Sequence, residues 1–258
     1  MKHNQIASAN PIIEIRNLFY RFPDGSLGLR DVNLTIDQGT LVVIAGENGS
    51  GKTTLLKHLN ALLRPTHGTI FVEGEDTVKN PLKTRQKVGL VFQNPDHQIV
   101  GETVFDDVAF GPKNLMLDPD TVKERVDAAL RIVSLSHQTD RQPHLLSGGE
   151  NRRLAIAGVL AMKPRVLALD EPFSSLDYAG IREVLRQILD LHRLGCTVVV
   201  TTHDVEKIIA HADRLVVLKN GSVAADGPPE RIALELERFG VRIPCAIRMG
   251  KGFESWLN

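Results

Sequence analysis

Three short stretches of the 258-residue chain combine residue types and spacings suited to phosphate chemistry. The first is Gly46-Glu47-Asn48-Gly49-Ser50-Gly51-Lys52-Thr53-Thr54, which reads G-x-x-x-x-G-K-[ST], a P-loop. Its glycines let the backbone wrap tightly enough to turn N–H groups inward onto an anion. Lys52 then faces the β- and γ-phosphates as a point charge, and the Thr53 hydroxyl can bind Mg²⁺. The second stretch is Asp170-Glu171, directly after the apolar run Val166-Leu167-Ala168-Leu169. Mg²⁺ takes one or two carboxylates beside water and phosphate oxygens, and Asp170 at a strand end suits it. Glu171, one residue further on, is placed to polarise a water for attack on the γ-phosphorus. The third is Leu146-Ser147-Gly148-Gly149-Glu150, ahead of a helix. Ser147 can cap that helix, and Gly148 and Gly149 expose N–H groups to an anion. An acidic strand end or a capped helix means little alone; behind a P-loop both gain weight. Arg152 and Arg153, inside the helix, read as a solvated face.

These residues need elements to position them. Leu41-Val42-Val43-Ile44-Ala45 is apolar and β-branched, a buried strand. From Thr54 to Leu63, the leucines 55, 56, 59, 62 and 63 fall at helical spacing. The loop therefore sits between strand and helix, and the helix N-terminus adds positive partial charge. Upstream, the pattern around Ile13 and Ile15, and the alternation Val32, Leu34, Ile36, predict antiparallel strands. Gly68 to Val72 and Val88 to Phe92 read as further strands. Residues 94–146 lack strand runs and read as helical. There, Thr121 with Glu124 predicts a capping box, and Val122, Val126, Leu130 and Val133 one buried helix face. The α/β rhythm then returns, with helices from Arg152 to Met162 and Tyr178 to Leu194. Strands follow at Val166 to Leu169, at Thr197 to Val200 running into Thr201-Thr202-His203, and at Leu215 to Leu218. Asn220-Gly221 marks a hairpin turn. Strands alternating with helices predict a mostly parallel sheet, with ligands at the carboxyl ends of its strands.

Composition narrows the class. Lys plus Arg and Asp plus Glu both number 31, so no net field favours nucleic acid or an anionic surface. No stretch approaches the ~20 apolar residues of a membrane span. Residues 1–10 are polar, without an apolar signal core, which predicts a protein kept in the cytosol. Cys196 and Cys245 show no metal or redox spacing and read as reduced, buried thiols. There is no internal repeat and no second P-loop.

The ordered set of P-loop, Gln93, Leu146–Glu150, Asp170-Glu171, Ser175-Leu176-Asp177 and His203 resembles the ATPase subunits of ATP-binding cassette (ABC) proteins. The resemblance spans about residues 12–235. It implies an α/β P-loop NTPase fold of ABC type. The core sheet would be mostly parallel, with an N-terminal antiparallel β subdomain and a helical insert. The ATPase domain would run over 12–240, the insert over about 94–160 and a C-terminal tail over 241–258. It implies ATP bound by residues 47–54, which are Glu47, Asn48, Gly49, Ser50, Gly51, Lys52, Thr53 and Thr54. It further implies Mg²⁺ at Thr53, Gln93 and Asp170, with Glu171 as general base. His203 would contact the γ-phosphate and Glu171, Gln93 the attacking water, and Asp177 the loop crossing to a partner subunit. Ser147, Gly148 and Gly149 would close over ATP held by the second subunit of a head-to-tail dimer, identical or paralogous. The adenine-stacking aromatic would be Phe22, with Tyr20 the alternative. The family usually has Gln where this chain has Glu150; Ser147 and the glycines make the phosphate contacts, so activity is expected to survive.

A finer resemblance lies in Phe92-Gln93-Asn94-Pro95-Asp96-His97-Gln98, Thr103 to Pro112, and Ala155 to Met162. These look like the ATPases of energy-coupling factor (ECF) importers of vitamins or of cobalt and nickel ions. That implies an integral membrane coupling subunit and a solute-binding membrane protein as partners, no nucleic acid, and a peripheral location on the cytoplasmic face of the membrane. Another transporter's ATPase, or a soluble ABC ATPase outside transport, are the alternatives. Val100, Val104, Phe105, Val108 and Phe110 among Glu102, Asp106 and Asp107 suggest the surface that docks the membrane subunit. The tail, with Trp256, is left open between docking on its own domain and on the other subunit.

Overall fold

The computed structural model describes residues 11–257; the polar lead-in of residues 1–10 and Asn258 lie outside the described residues. The chain opens with β1 (Pro11–Arg21) and β2 (Leu27–Asp37), paired antiparallel with Ile15 opposite Leu34. It passes through β3 (Leu41–Ala45), the P-loop and α1 (Lys52–Leu59), then returns with β4 (His67–Val72) and β5 (Glu75–Asp76). The antiparallel sheet runs β2-β1-β4-β5. After α2 (Pro81–Lys87) come β6 (Val88–Val91) and the helices α3 (Val104–Asn114), α4 (Pro119–Ile132) and α5 (Gly148–Leu160), which pack on one another. Next follow β7 (Val166–Asp170), α6 (Tyr178–Arg193), β8 (Thr197–Thr202), β9 (Arg214–Lys219) and β10 (Ser222–Gly227). The second sheet runs β10-β9-β3-β8-β7-β6, parallel except for the β9–β10 hairpin. A mostly parallel core sheet, an N-terminal antiparallel sheet and a helical insert are the α/β arrangement expected from the sequence.

Both faces of the parallel sheet are covered, which is why its strands are apolar without alternation. Val42, Ile44, Ala168, Val199 and Val216 face a core shared with α1 and the antiparallel sheet. Leu41, Val43, Leu167, Val198 and Val217 face the other core, shared with α5, α6 and the chain's last segments. Parallel pairing leaves the carboxyl ends of β3, β8, β7 and β6 at one edge of the sheet. The P-loop, His203, Glu171 and Gln93 therefore leave the sheet side by side.

Several local expectations change. α1 stops at Leu59, because Asn60 caps it and Ala61 takes a left-handed φ of 55°. Leu62 is exposed instead of continuing the buried stripe. The Thr121–Glu124 capping box does not form. Asp118 is the cap, accepting from the Thr121 N–H at 2.9 Å, and Pro119 fits the first helical position. Thr121 thus lies one turn inside α4, whose Val122, Val126 and Leu130, with Val133 at its end, are buried as expected. Cys196 and Cys245 are free thiols, half-buried rather than buried. The tail settles on its own domain: Phe253, Trp256 and Leu257 pack against the larger core. Arg182 donates to the Leu257 carbonyl at 3.0 Å, and the Trp256 ring lies 5.6 Å from that of Tyr178. No helix among the described residues is long and apolar enough to cross a membrane.

Candidate active site

The P-loop leaves β3 at Gly46, which passes so close to the Leu218 carbonyl and Ser50 that a Cβ there would clash. Gly51, at φ 103°, opens α1 in a left-handed conformation that favours glycine. No side chain caps α1 and no acid lies in its first turn, so its leading N–H groups suit an anion. The Ser50 hydroxyl is buried without a hydrogen-bond partner, a polar atom that a phosphate oxygen would satisfy. Lys52 is 6% exposed and donates to the carbonyls of Gly46 at 2.8 Å and Glu47 at 3.0 Å. Burial pushes its pKa down, while Glu171 and Asp170 pull it back up. Glu47, Asn48 and Gly49 are exposed at the loop's tip.

Asp170 ends β7 almost fully buried. Its Oδ2 accepts from the Thr53 hydroxyl at 2.6 Å and its Oδ1 from the Thr201 hydroxyl at 2.6 Å. A hydroxyl and a carboxylate meeting beside a phosphate loop form the oxygen donor set that Mg²⁺ prefers. Glu171 follows at φ 47°, a left-handed conformation uncommon for a residue with a Cβ. That turn brings its Oε1 to 3.8 Å from Lys52 Nζ. The same oxygen accepts from the His203 N–H at 2.9 Å and lies 2.9 Å from His203 Nδ1. Lys52, Thr53, Asp170, Glu171 and His203, far apart in sequence, thus converge at one edge of the sheet, as expected.

The ABC transporter family model matches residues 29–174. The chain belongs to the ABC transporter family. This ABC ATPase is 47% identical over 239 residues to the energy-coupling factor transporter ATP-binding protein EcfA of Methanothermobacter thermautotrophicus, covering 90% of this chain and 77% of that one. It is 44% identical over 243 residues to EcfA1 of Caldanaerobacter subterraneus, covering 90% and 87%. Among solved structures it is similar to CbiO1 of Clostridium perfringens, part of the ABC transporter complex CbiONQ. The TM-score is 0.79 at 36% identity, over 90% of this chain and 98% of that one. A bacterial ABC transporter cassette solved as a dimer matches at TM-score 0.76 and 28% identity, over 84% and 98%.

No hydrogen bond or ion pair among the described residues of this ABC ATPase joins Gln93, Ser147 or Asp177 to the cluster. Gln93 is exposed just past β6, in a groove that Gly148, Asn151 and Ser174 also line and that no P-loop residue enters. Among the described residues, no hydrogen bond or ion pair links Ser147, Gly148 or Gly149 to the P-loop. Ser147 caps α5 in a capping box with Glu150: Ser147 Oγ accepts from the Glu150 N–H, and Glu150 Oε2 from the Ser147 N–H at 2.7 Å. Glu150 also accepts from Gln138. The carboxylate thus supports the signature turn; the Ser147 N–H chiefly holds its pKa below the ordinary range. Tyr20, half-buried against the inner core, packs edge-on against His58 and against Phe22, whereas Phe22 is 37% exposed. Asp177 caps α6, accepting from the Gly180 N–H at 2.8 Å.

Three features escaped the sequence reading. Thr201 holds Asp170, but one threonine in a β-branched run gives no signal. Gly240, at a left-handed φ of 76° that favours glycine, lies against the Glu47 side chain, which would have to shift to admit a Cβ. Arg152 is not solvated: it is 3% exposed, while Arg153 pairs with Glu183. Adjacent arginines on a helix carry no sign of burial when the acceptors are backbone carbonyls.

Proposed function

We propose that this chain binds ATP at residues 47–54 and hydrolyses it to drive an ECF-type importer of a vitamin or a transition-metal ion. The observation that carries the hydrolytic reading is the convergence of Lys52, Asp170, Glu171 and His203 at the strand ends. The importer reading rests on the 47% identity to an energy-coupling factor ATP-binding protein. Lys52 draws the β- and γ-phosphates to the head of α1. Glu171 takes the proton of the attacking water on a carboxylate that His203 orients through Oε1, leaving Oε2 for the water. Mg²⁺, held by Asp170 and Thr53 with Gln93 beside it, would neutralise charge on the phosphates. Phe22, exposed at the end of the first hairpin, is the adenine platform, because Tyr20 is committed to packing.

The separation of Ser147–Gly149 from the P-loop supports a head-to-tail dimer, in which each signature closes over the ATP of the other subunit. Membrane partners would be a coupling subunit and a solute-binding protein, with this chain peripheral on the cytoplasmic face. The test is Lys52→Ala. Removing the cation should abolish tight ATP binding in a nucleotide titration, and also uptake by cells expressing the complete transporter. Wild-type affinity in that variant would place the nucleotide elsewhere.

A further inference from the structure

Arg152 sits one turn inside α5, five residues after the cap Ser147, and its side chain is withdrawn from water. Its Nη1 donates to the Phe92 carbonyl at 2.8 Å. Its Nη2 donates to the Gln93 carbonyl at 2.5 Å and to the Ser174 hydroxyl at 3.3 Å. Nε is buried without a partner. No carboxylate among the described residues pairs with this guanidinium; the nearby Asp170 charge acts on it without contact. A buried cation facing only carbonyls and a hydroxyl is unfavourable for stability, and an apolar residue of similar size would avoid the desolvation. Its geometry shows what it achieves. The planar fork spans two successive carbonyls, as a lysine's single ammonium cannot. Nη1 and Nη2 together hold the carbonyls of Phe92 and Gln93, and Nη2 also touches the loop that leaves Glu171 and reaches Asp177. The stem belongs to the helix that begins with the Ser147–Gly149 turn.

We propose that Arg152 is a positioning residue that sets Gln93 against Asp170 and Glu171 and ties that setting to the orientation of the signature helix. This deepens the functional reading and rests on the role given there to Gln93. The main chain of Gln93 is held, while its exposed amide stays available to the site. A tilt of α5 when a second subunit closes would be passed through one rigid fork to Gln93 and the Ser174 loop together.

The experiment compares Arg152→Lys, Arg152→Met and Gln93→Ala, and the double variant Gln93→Ala/Arg152→Lys, in the full chain. The lysine variant keeps a buried cation and guards against misfolding of the methionine one. Loss of the fork should lower kcat about tenfold to a hundredfold, as misplacement of reacting groups does. It should raise the Mg²⁺ concentration needed for half-maximal hydrolysis, and leave Mg²⁺-free ATP affinity within about twofold of wild type. The double variant should be no slower than Gln93→Ala alone, because Arg152 acts through that residue. Wild-type kcat and Mg²⁺ dependence in Arg152→Lys would overturn the proposal. So would a loss of kcat that merely follows losses of ATP affinity and melting temperature, and so would defects that multiply in the double variant. Gln93→Ala at the wild-type rate would instead remove Gln93 from the mechanism, and the proposal with it.

Discussion

The contrast between Phe22 and Tyr20 shows how burial sorts two residues of similar chemistry. Tyr20 is half-buried, 4.7 Å from the His58 ring, and packs against the core beneath the antiparallel sheet, whereas Phe22 is exposed. Base-on-aromatic stacking contributes about 1–3 kcal/mol. Phe22→Ala should therefore weaken ATP binding about tenfold or more, with the melting temperature nearly unchanged. Tyr20→Ala should lower the melting temperature first; nucleotide titration and thermal melts separate the two. The P-loop and Asp170-Glu171 were legible because their chemistry demands fixed types at fixed spacing. Phe22 was not distinguishable from Tyr20, because both occupy the same strand end and only packing decides which ring is free. Arg152 was misread for a related reason: its partners are main-chain oxygens, which leave no trace in side-chain pattern.

Element by element, strands were read more securely than helix ends. β3, β7 and β8 are apolar on both faces, and that run survives any detail of packing. The start of α4 hinged on which polar residue found an N–H, and Asp118 with Pro119 behind it prevailed over Thr121. At α3, the reading of Asp107 as a surface acid gives way to a structural role. It is 7% exposed and accepts from the N–H groups of Val100 at 2.7 Å and Gly101 at 3.0 Å. Burial pushes its pKa up and those two bonds pull it back. Asp107→Ala would strand both donors, at about 1–3 kcal/mol for a buried unsatisfied group. A melt should show the loss as several degrees, and an unchanged midpoint would contradict the assignment. Glu150 stabilises the start of α5 in a pH-dependent way. Its folded pKa lies below the ordinary 4.5, so its contribution is complete above that value and is lost as pH falls through the folded one.

In the whole molecule, the helices α3, α4 and α5 carry two kinds of surface. Val104 and Val108 are buried and Phe105 is half-buried, while Val100 and Phe110 are exposed. Glu102 is exposed, and Asp106 is half-exposed beside Lys113. If a membrane subunit docks here as proposed, the patch open to it is Val100, Phe110, Glu102 and Asp106, and charge complementarity there would register a basic partner. Asp106→Lys should leave basal hydrolysis in solution unchanged and reduce both co-purification with the membrane subunit and uptake. Wild-type values for both would exclude this face from coupling. In the proposed dimer each ATP is completed by two chains, and Glu171→Gln probes that arrangement. The amide keeps the shape of the base but cannot accept the water's proton, so ATP stays intact. Light scattering after gel filtration should give the mass of two chains for this variant with Mg·ATP and of one chain with ADP. A single-chain mass with Mg·ATP, or normal hydrolysis by the variant, would contradict the dimeric mechanism.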